Sequence, residues 1–281
     1  MGNTSTRPDY DVAVGKREKV ESTADQLGRH PAVVVAAAAG QVVNGIVHII
    51  IGLIAIAVAR GAGGTADQGG AMRAIDSTPA GSVGLWVAGI ALLALALYSI
   101  AIATGEIRED AKEAVKSAGR GMTYGAVGGM AIIYANGGSS DGEETATSVS
   151  AELMSTTWGS WALVIVGVAV LAVGGYMVAK GVRKTFLEDV DVSGQARRMF
   201  TAFGMAGHIA KGIAVGIVGI LFVVAVITND PEEAGGMDGA LKKLTELPYG
   251  TFLLIIVGAG LITYGIFCFA RARALARKRG R

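Results

Sequence analysis

The chain of 281 residues is 52% hydrophobic and only 17% charged, with 42 glycines and a formal net charge of +2. That composition belongs to membrane proteins and argues against an ordinary water-soluble domain. One cysteine, Cys268, excludes an internal disulfide and leaves cysteine redox chemistry or a cysteine metal site without support.

Residues 1–37 read as a cytoplasmic leader. The first 30 are polar and charged with no apolar run before Pro31, so no signal peptide is expected. Within it Val20, Ala24 and Leu27 fall at helical spacing, which fits a short helix on the membrane surface; a plain polar leader is the simpler reading. Six apolar segments follow, near 39–60, 82–103, 117–136, 160–181, 205–228 and 250–271. At about 20 residues each is long enough to cross a hydrocarbon core of roughly 30 Å as a helix. The third is rich in glycine and poor in large aliphatics, and its assignment rests on an internal repeat.

That repeat runs through the whole apolar part of the chain. Each copy has an outbound helix with a polar residue plus glycine and a second glycine seven later, then a return helix opened by a glycine with another eight later. The copies read Asn44-Gly45, Gly52, Pro79-Ala80-Gly81, Gly89; Arg120-Gly121, Gly128, Thr157-Trp158-Gly159, Gly167; and Lys211-Gly212, Gly219, Pro248-Tyr249-Gly250, Gly258. They delimit repeats at 38–106, 114–185 and 203–273, with a basic cytoplasmic tail at 274–281. Each copy holds two spans, so successive copies enter the membrane in the same direction. The expected fold is all-α and polytopic, six transmembrane helices as three parallel two-helix repeats. Three such copies can surround a pseudo-threefold axis.

The outer loops carry apolar residues at helical spacing before the return helix: Ala71, Met72 and Ile75, then Val149 and Leu153, then Ala240, Leu241 and Leu244. Short amphipathic helices at the outer interface are expected there. The following proline starts the return helix, and Thr157 caps it in the middle copy. Tyr98, Tyr176 and Phe267, at one repeat position, read as aromatic anchors at the inner interface. Outside the spans, all but four Lys and Arg residues lie at the termini and in the second and fourth connections. The exceptions are Arg60, Arg73, Lys242 and Lys243. The positive-inside rule then places both termini in the cytoplasm.

The thrice-repeated polar-Gly, Gly seven later and Pro-aromatic-Gly pattern resembles the bacterial membrane family catalogued as domain of unknown function 1206. That family looks like tandem two-helix repeats, commonly three, in actinobacteria. The resemblance covers residues 38–273 and is strongest in the third copy. The middle copy lacks the proline. The first departs at Asn44, where a basic residue is usual, and at His48, where Tyr is usual. It implies the fold and a location in the bacterial inner (plasma) membrane, and it carries over no activity.

The spans contain no Asp or Glu; apart from Arg60, Lys180 and Arg271 at their very ends, their only Lys, Arg and His residues are Arg120, Lys211, His48 and His208. This weighs against a proton-coupled transporter, which needs a carboxylate to load and unload. Asn44, Arg120 and Lys211 share one repeat position about a turn inside the cytoplasmic boundary, where long side chains snorkel to headgroups. They are the candidate anion- or lipid-contacting residues, since a lipid phosphate, a backbone carbonyl or an anionic ligand is the partner left to them. His48, one turn from Asn44, and His208 are candidate intramembrane polar residues with structural roles. Gly45, Gly52, Gly121, Gly128, Gly212 and Gly219 form stripes read as helix-packing seams. The acidic clusters around Asp141 and Asp230 match no calcium loop, and Gly61 to Gly70 lacks the Lys-Ser/Thr of a phosphate loop. No catalytic residues, metal ligands or cofactor are expected. Partners are membrane lipids, with anionic ones favoured, and a membrane protein complex, but not nucleic acid. The leading expectation is a non-enzymatic structural or accessory membrane component. The alternative is a small carrier or channel for an anionic solute or lipid along the pseudo-threefold axis.

Overall fold

The computed structural model describes residues 31–106, 111–139, 142–187 and 195–278. The leader pattern at Val20, Ala24 and Leu27 lies outside them. The described residues form nine α-helices: α1 (Pro31–Ala59), α2 (Gln68–Asp76), α3 (Gly81–Glu106), α4 (Ala111–Ala135), α5 (Gly142–Met154), α6 (Thr157–Arg183), α7 (Gln195–Thr228), α8 (Gly236–Glu246) and α9 (Gly250–Lys278). The long helices cover the six apolar segments, and the short ones, α2, α5 and α8, lie in the connections where outer-loop helices are expected; they are called the outer helices below. Stretches within α1, α3, α6, α7 and α9 are long and apolar enough to cross a membrane. In α4 the glycines and Arg120 dilute the apolar residues, and it is not among these five.

Glycine decides which helices meet. Its missing Cβ lets two backbones approach closely, and in lipid that close packing supplies much of the association energy. A Cβ built on Gly52 would stand 2.5 Å from the Gly258 carbonyl oxygen, and one on Gly258 2.9 Å from that of Gly52. One turn-pair further along, Gly45 and Gly265 oppose each other in the same way, at 2.8 and 2.5 Å. Gly212 and Gly219 of α7 meet Gly174 and Gly167 of α6, while Gly121 and Gly128 of α4 meet the Ala96 and Gly89 backbones of α3. All six glycines read as packing positions therefore lie in seams.

These seams join α9 to α1, α3 to α4 and α6 to α7. Each packed pair thus combines the return helix of one copy with the outbound helix of the next, and the last return helix closes onto the first outbound one. The sequence copy and the packed hairpin are different objects. The reason is loop length: consecutive copies are joined by short connections, which make antiparallel neighbours. Within a copy, a longer outer loop with its own helix intervenes. Copy three adds an extensive α7–α9 contact, whereas the matching pairs α1 with α3 and α4 with α6 barely touch.

The outer helices turn their apolar faces inward. Ala71, Leu241 and Leu244 are buried in one core with Ile51, Ala55, Leu254 and Val257, instead of resting on lipid. Val149 of the middle copy is exposed. The return helices begin against these outer helices: a Cβ on Gly81, Gly159 or Gly250 would collide with the carbonyl oxygen of Ile75, Leu153 or Leu244 respectively. Only glycine fits this place, which explains the repeated loop glycine. In the middle copy the cap is Thr156, not Thr157: its Oγ1 accepts the Gly159 N–H at 3.1 Å. Proline stands before the first helical residue, since the helices start at Gly81 and Gly250.

Large aliphatic side chains such as Val87, Leu97, Ile165 and Ile227 stay exposed along the long helices. On α6 exposed Trp158 and Trp161 near one end and Tyr176 toward the other flank this surface. Trp158 and Tyr176 lie about 27 Å apart at 1.5 Å per residue, close to the thickness of a hydrocarbon core. Tyr98 is likewise exposed, as an interface anchor requires. Phe267 is not: it is buried, 2% exposed, because α7 closes over its face of α9.

Candidate functional site

Where α1, α7 and α9 meet, the seams give way to a polar and aromatic cluster. Gly207 admits the Tyr264 backbone, a built Cβ standing 2.5 Å from its Cα, and Gly204 admits the Phe186 ring. Tyr264 is the hub. Its ring lies 4.8 Å from that of His48, 5.3 Å from His208 and 6.2 Å from Phe267. The Lys211 ammonium stands over it, 4.5 Å from the centroid. Its hydroxyl meets Asn44 and Cys268. The Asn44 amide also donates to Cys268 Sγ at 3.3 Å.

Both histidines are held by their own helices. His48 Nδ1 lies 2.8 Å from the Asn44 carbonyl oxygen and His208 Nδ1 2.7 Å from that of Gly204. A carbonyl only accepts, so each Nδ1 carries the proton and Nε2 is the remaining nitrogen. The His208 ring is further stacked on Phe186 at 5.0 Å and meets the edge of Phe267 at 5.1 Å. Structural roles for both account for these contacts.

Of the three residues at the shared repeat position, two come together and one does not. Asn44 and Lys211 both touch Tyr264. Arg120 is exposed on α4, donates to Ser117 Oγ at 2.9 Å, and sits on a helix that packs against α3 and α2. The cause lies in the partner: by the repeat, Tyr264 corresponds to Leu95 and Val173, and α6 is not packed against α4. Val173 is exposed accordingly. Tyr264 was not singled out by sequence reading, and Cys268 was read only as a lone cysteine without a role. Their signal was the helical spacing of Tyr264, Phe267, Cys268 and Arg271 along one side of α9. Among the described residues no group of three or more His, Cys, Asp or Glu side chains is placed to hold a metal.

A second polar set ties the outer loops together. Asp238, 1% exposed, accepts the Ala66 N–H at 2.7 Å and pairs with Lys242 at 2.7 Å. Lys242 also pairs with Glu143 at 2.7 Å, and the Asp67 carboxylate stands against Gly142, where a Cβ would collide with it. All three copies are thereby linked pairwise at this end. Burial disfavours the Lys242 ammonium, but hydrogen bonds and the charges of Asp238 and Glu143 outweigh it and hold its pKa above the ordinary lysine range.

The model of the family described as Domain of Unknown Function (DUF1206) matches three times, at residues 39–105, 115–184 and 206–274. The chain belongs to the DUF1206 family. This DUF1206 chain is also similar to the Uncharacterized protein YxxB of Bacillus subtilis (strain 168), 27% identical over 234 residues that cover 80% of this chain and 85% of that protein. No solved structure matches it. The three matches each take in one outbound and one return helix, so the family pattern follows the sequence copy and not the packed hairpin.

Proposed function

We propose that this DUF1206 protein is a non-enzymatic structural or accessory component of the bacterial inner membrane, with six helices crossing the bilayer and both termini in the cytoplasm. The observation that carries this reading is the set of glycine seams, which commit the outbound helices to backbone-close packing and leave aliphatic faces for lipid or a partner protein. The distribution of Lys and Arg supports the orientation, and α4 joins the spanning set because its partner α3 is one of the apolar helices. Membrane lipids are its immediate partners and a larger membrane complex its setting. Native mass spectrometry of the protein, gently extracted from its own membrane, tests this: a stoichiometric protein partner is expected, and a protein that is always alone counts against it.

A small carrier or channel for an anionic solute or lipid is the second reading. It is favoured by one observation, the lack of close packing between α1 and α3 and between α4 and α6, and its pathway would follow the pseudo-threefold axis expected from the repeats. Phosphate flux into proteoliposomes above that of empty vesicles would select it.

A further inference from the structure

Lys211, intermediate in exposure as a whole residue, carries its ammonium into the junction of α1, α7 and α9, and among the described residues no carboxylate stands within ion-pair reach of it. None of these three helices contains Asp or Glu anywhere along its length. Other cations stand in the neighbourhood: Lys180 and Arg271 lie close enough to act electrostatically on His208, as Lys211 does on both histidines. The Asn44 amide and the Tyr264 hydroxyl meet at Cys268, on the ring over which Lys211 stands. The face of Tyr264 offsets part of the cost of the buried ammonium, yet a ring quadrupole is weaker than a counter-charge.

Depth points the same way. Thirty ångströms counted back from Thr228 at 1.5 Å per residue reaches about His208, which sets Lys211 roughly 5 Å inside the boundary, next to the layer of headgroup phosphates. We propose that this junction binds a phosphate-bearing anion, supplied by the headgroup of an acidic lipid or by free phosphate, with Lys211 as its charged contact and Asn44 and Tyr264 as neutral donors. The assignment rests on the reading that α1, α7 and α9 cross a membrane.

The test uses the full-length, delipidated protein, titrated separately with phosphatidylglycerol, phosphatidylcholine and inorganic phosphate and read by native mass spectrometry. A stoichiometric adduct with phosphatidylglycerol and none with phosphatidylcholine or phosphate assigns a lipid headgroup; a phosphate adduct that competes with the lipid assigns free phosphate. Lys211→Met is expected to lower occupancy roughly fivefold to tenfold, with Lys211→Arg retaining it and the exposed outer-loop control Arg60→Gln unchanged. Lys211→Gln, with a polar tip, serves if the Met variant does not fold. Equal occupancy in wild type and a folded neutral variant, or no anionic adduct at all, overturns the site. Release of the protein from membranes by an alkaline carbonate wash would overturn the membrane reading instead, so the two failures are distinguishable.

Discussion

At the scale of single residues, glycine does two different jobs that spacing alone does not separate. Gly174 and Gly175 are neighbours in α6, yet a Cβ on Gly174 would stand 2.6 Å from the Gly216 backbone nitrogen while one on Gly175 meets nothing within 4 Å. Gly174→Ala must therefore push α6 off α7, and a loss of about 1–3 kcal/mol is expected. Gly175→Ala should be neutral or stabilising by about 0.5–1 kcal/mol, since a helical glycine carries excess backbone entropy. Thermal unfolding in detergent, followed by circular dichroism, separates them; similar melting temperatures for both variants would refute the seam. The aromatic residues show the same divergence within one repeat position, with Tyr98 and Tyr176 exposed and Phe267 enclosed.

The short outer helices show how an element's neighbours redefine its face. Their apolar spacing was legible, but the same pattern serves for lying on lipid or for capping a bundle, and here it caps the bundle. The decisive groups are polar: Asp238 reaches the first copy through Ala66 and, through Lys242, the second copy at Glu143. Asp238→Asn keeps an acceptor for the Ala66 N–H and removes the charge that holds Lys242. A destabilisation of about 1–3 kcal/mol is expected, with faster amide exchange in α2 and α8; unchanged exchange would show that the carboxylate's charge does not tie the outer loops together. Because the folded pKa of Lys242 is raised, its contribution is complete below the ordinary lysine value and declines only as pH rises through the higher folded value. Protection of α2 and α8 should accordingly stay level from neutral into mildly alkaline solution.

For the whole molecule the consequential contact is between its first and last long helices. A Cβ built on Gly45 would stand 2.8 Å from the Gly265 carbonyl oxygen and 3.3 Å from Cβ of Cys268, across more than 200 residues of chain. Gly45→Ala should therefore push α1 off α9 and cost about 1–3 kcal/mol, read as a lower melting temperature in detergent. An unchanged melting temperature would mean that α9 does not close on α1. The closure is uneven, since only the third copy packs its own two helices, and that unevenness gathers Asn44, His48, His208 and Lys211 while leaving Arg120 outside.

Composition, six apolar segments and the recurring glycines determined from sequence alone that the chain is all-α, threefold repeated and suited to a membrane, because length, hydropathy and the lack of a Cβ are local properties. Which helices the glycines join was decided only in three dimensions. A glycine stripe states that some backbone approaches, and short connections between copies, with closure of the last onto the first, select which one. The polar cluster depends on that selection: Tyr264 and Cys268 look like ordinary residues of an apolar helix until α9 lies between α1 and α7.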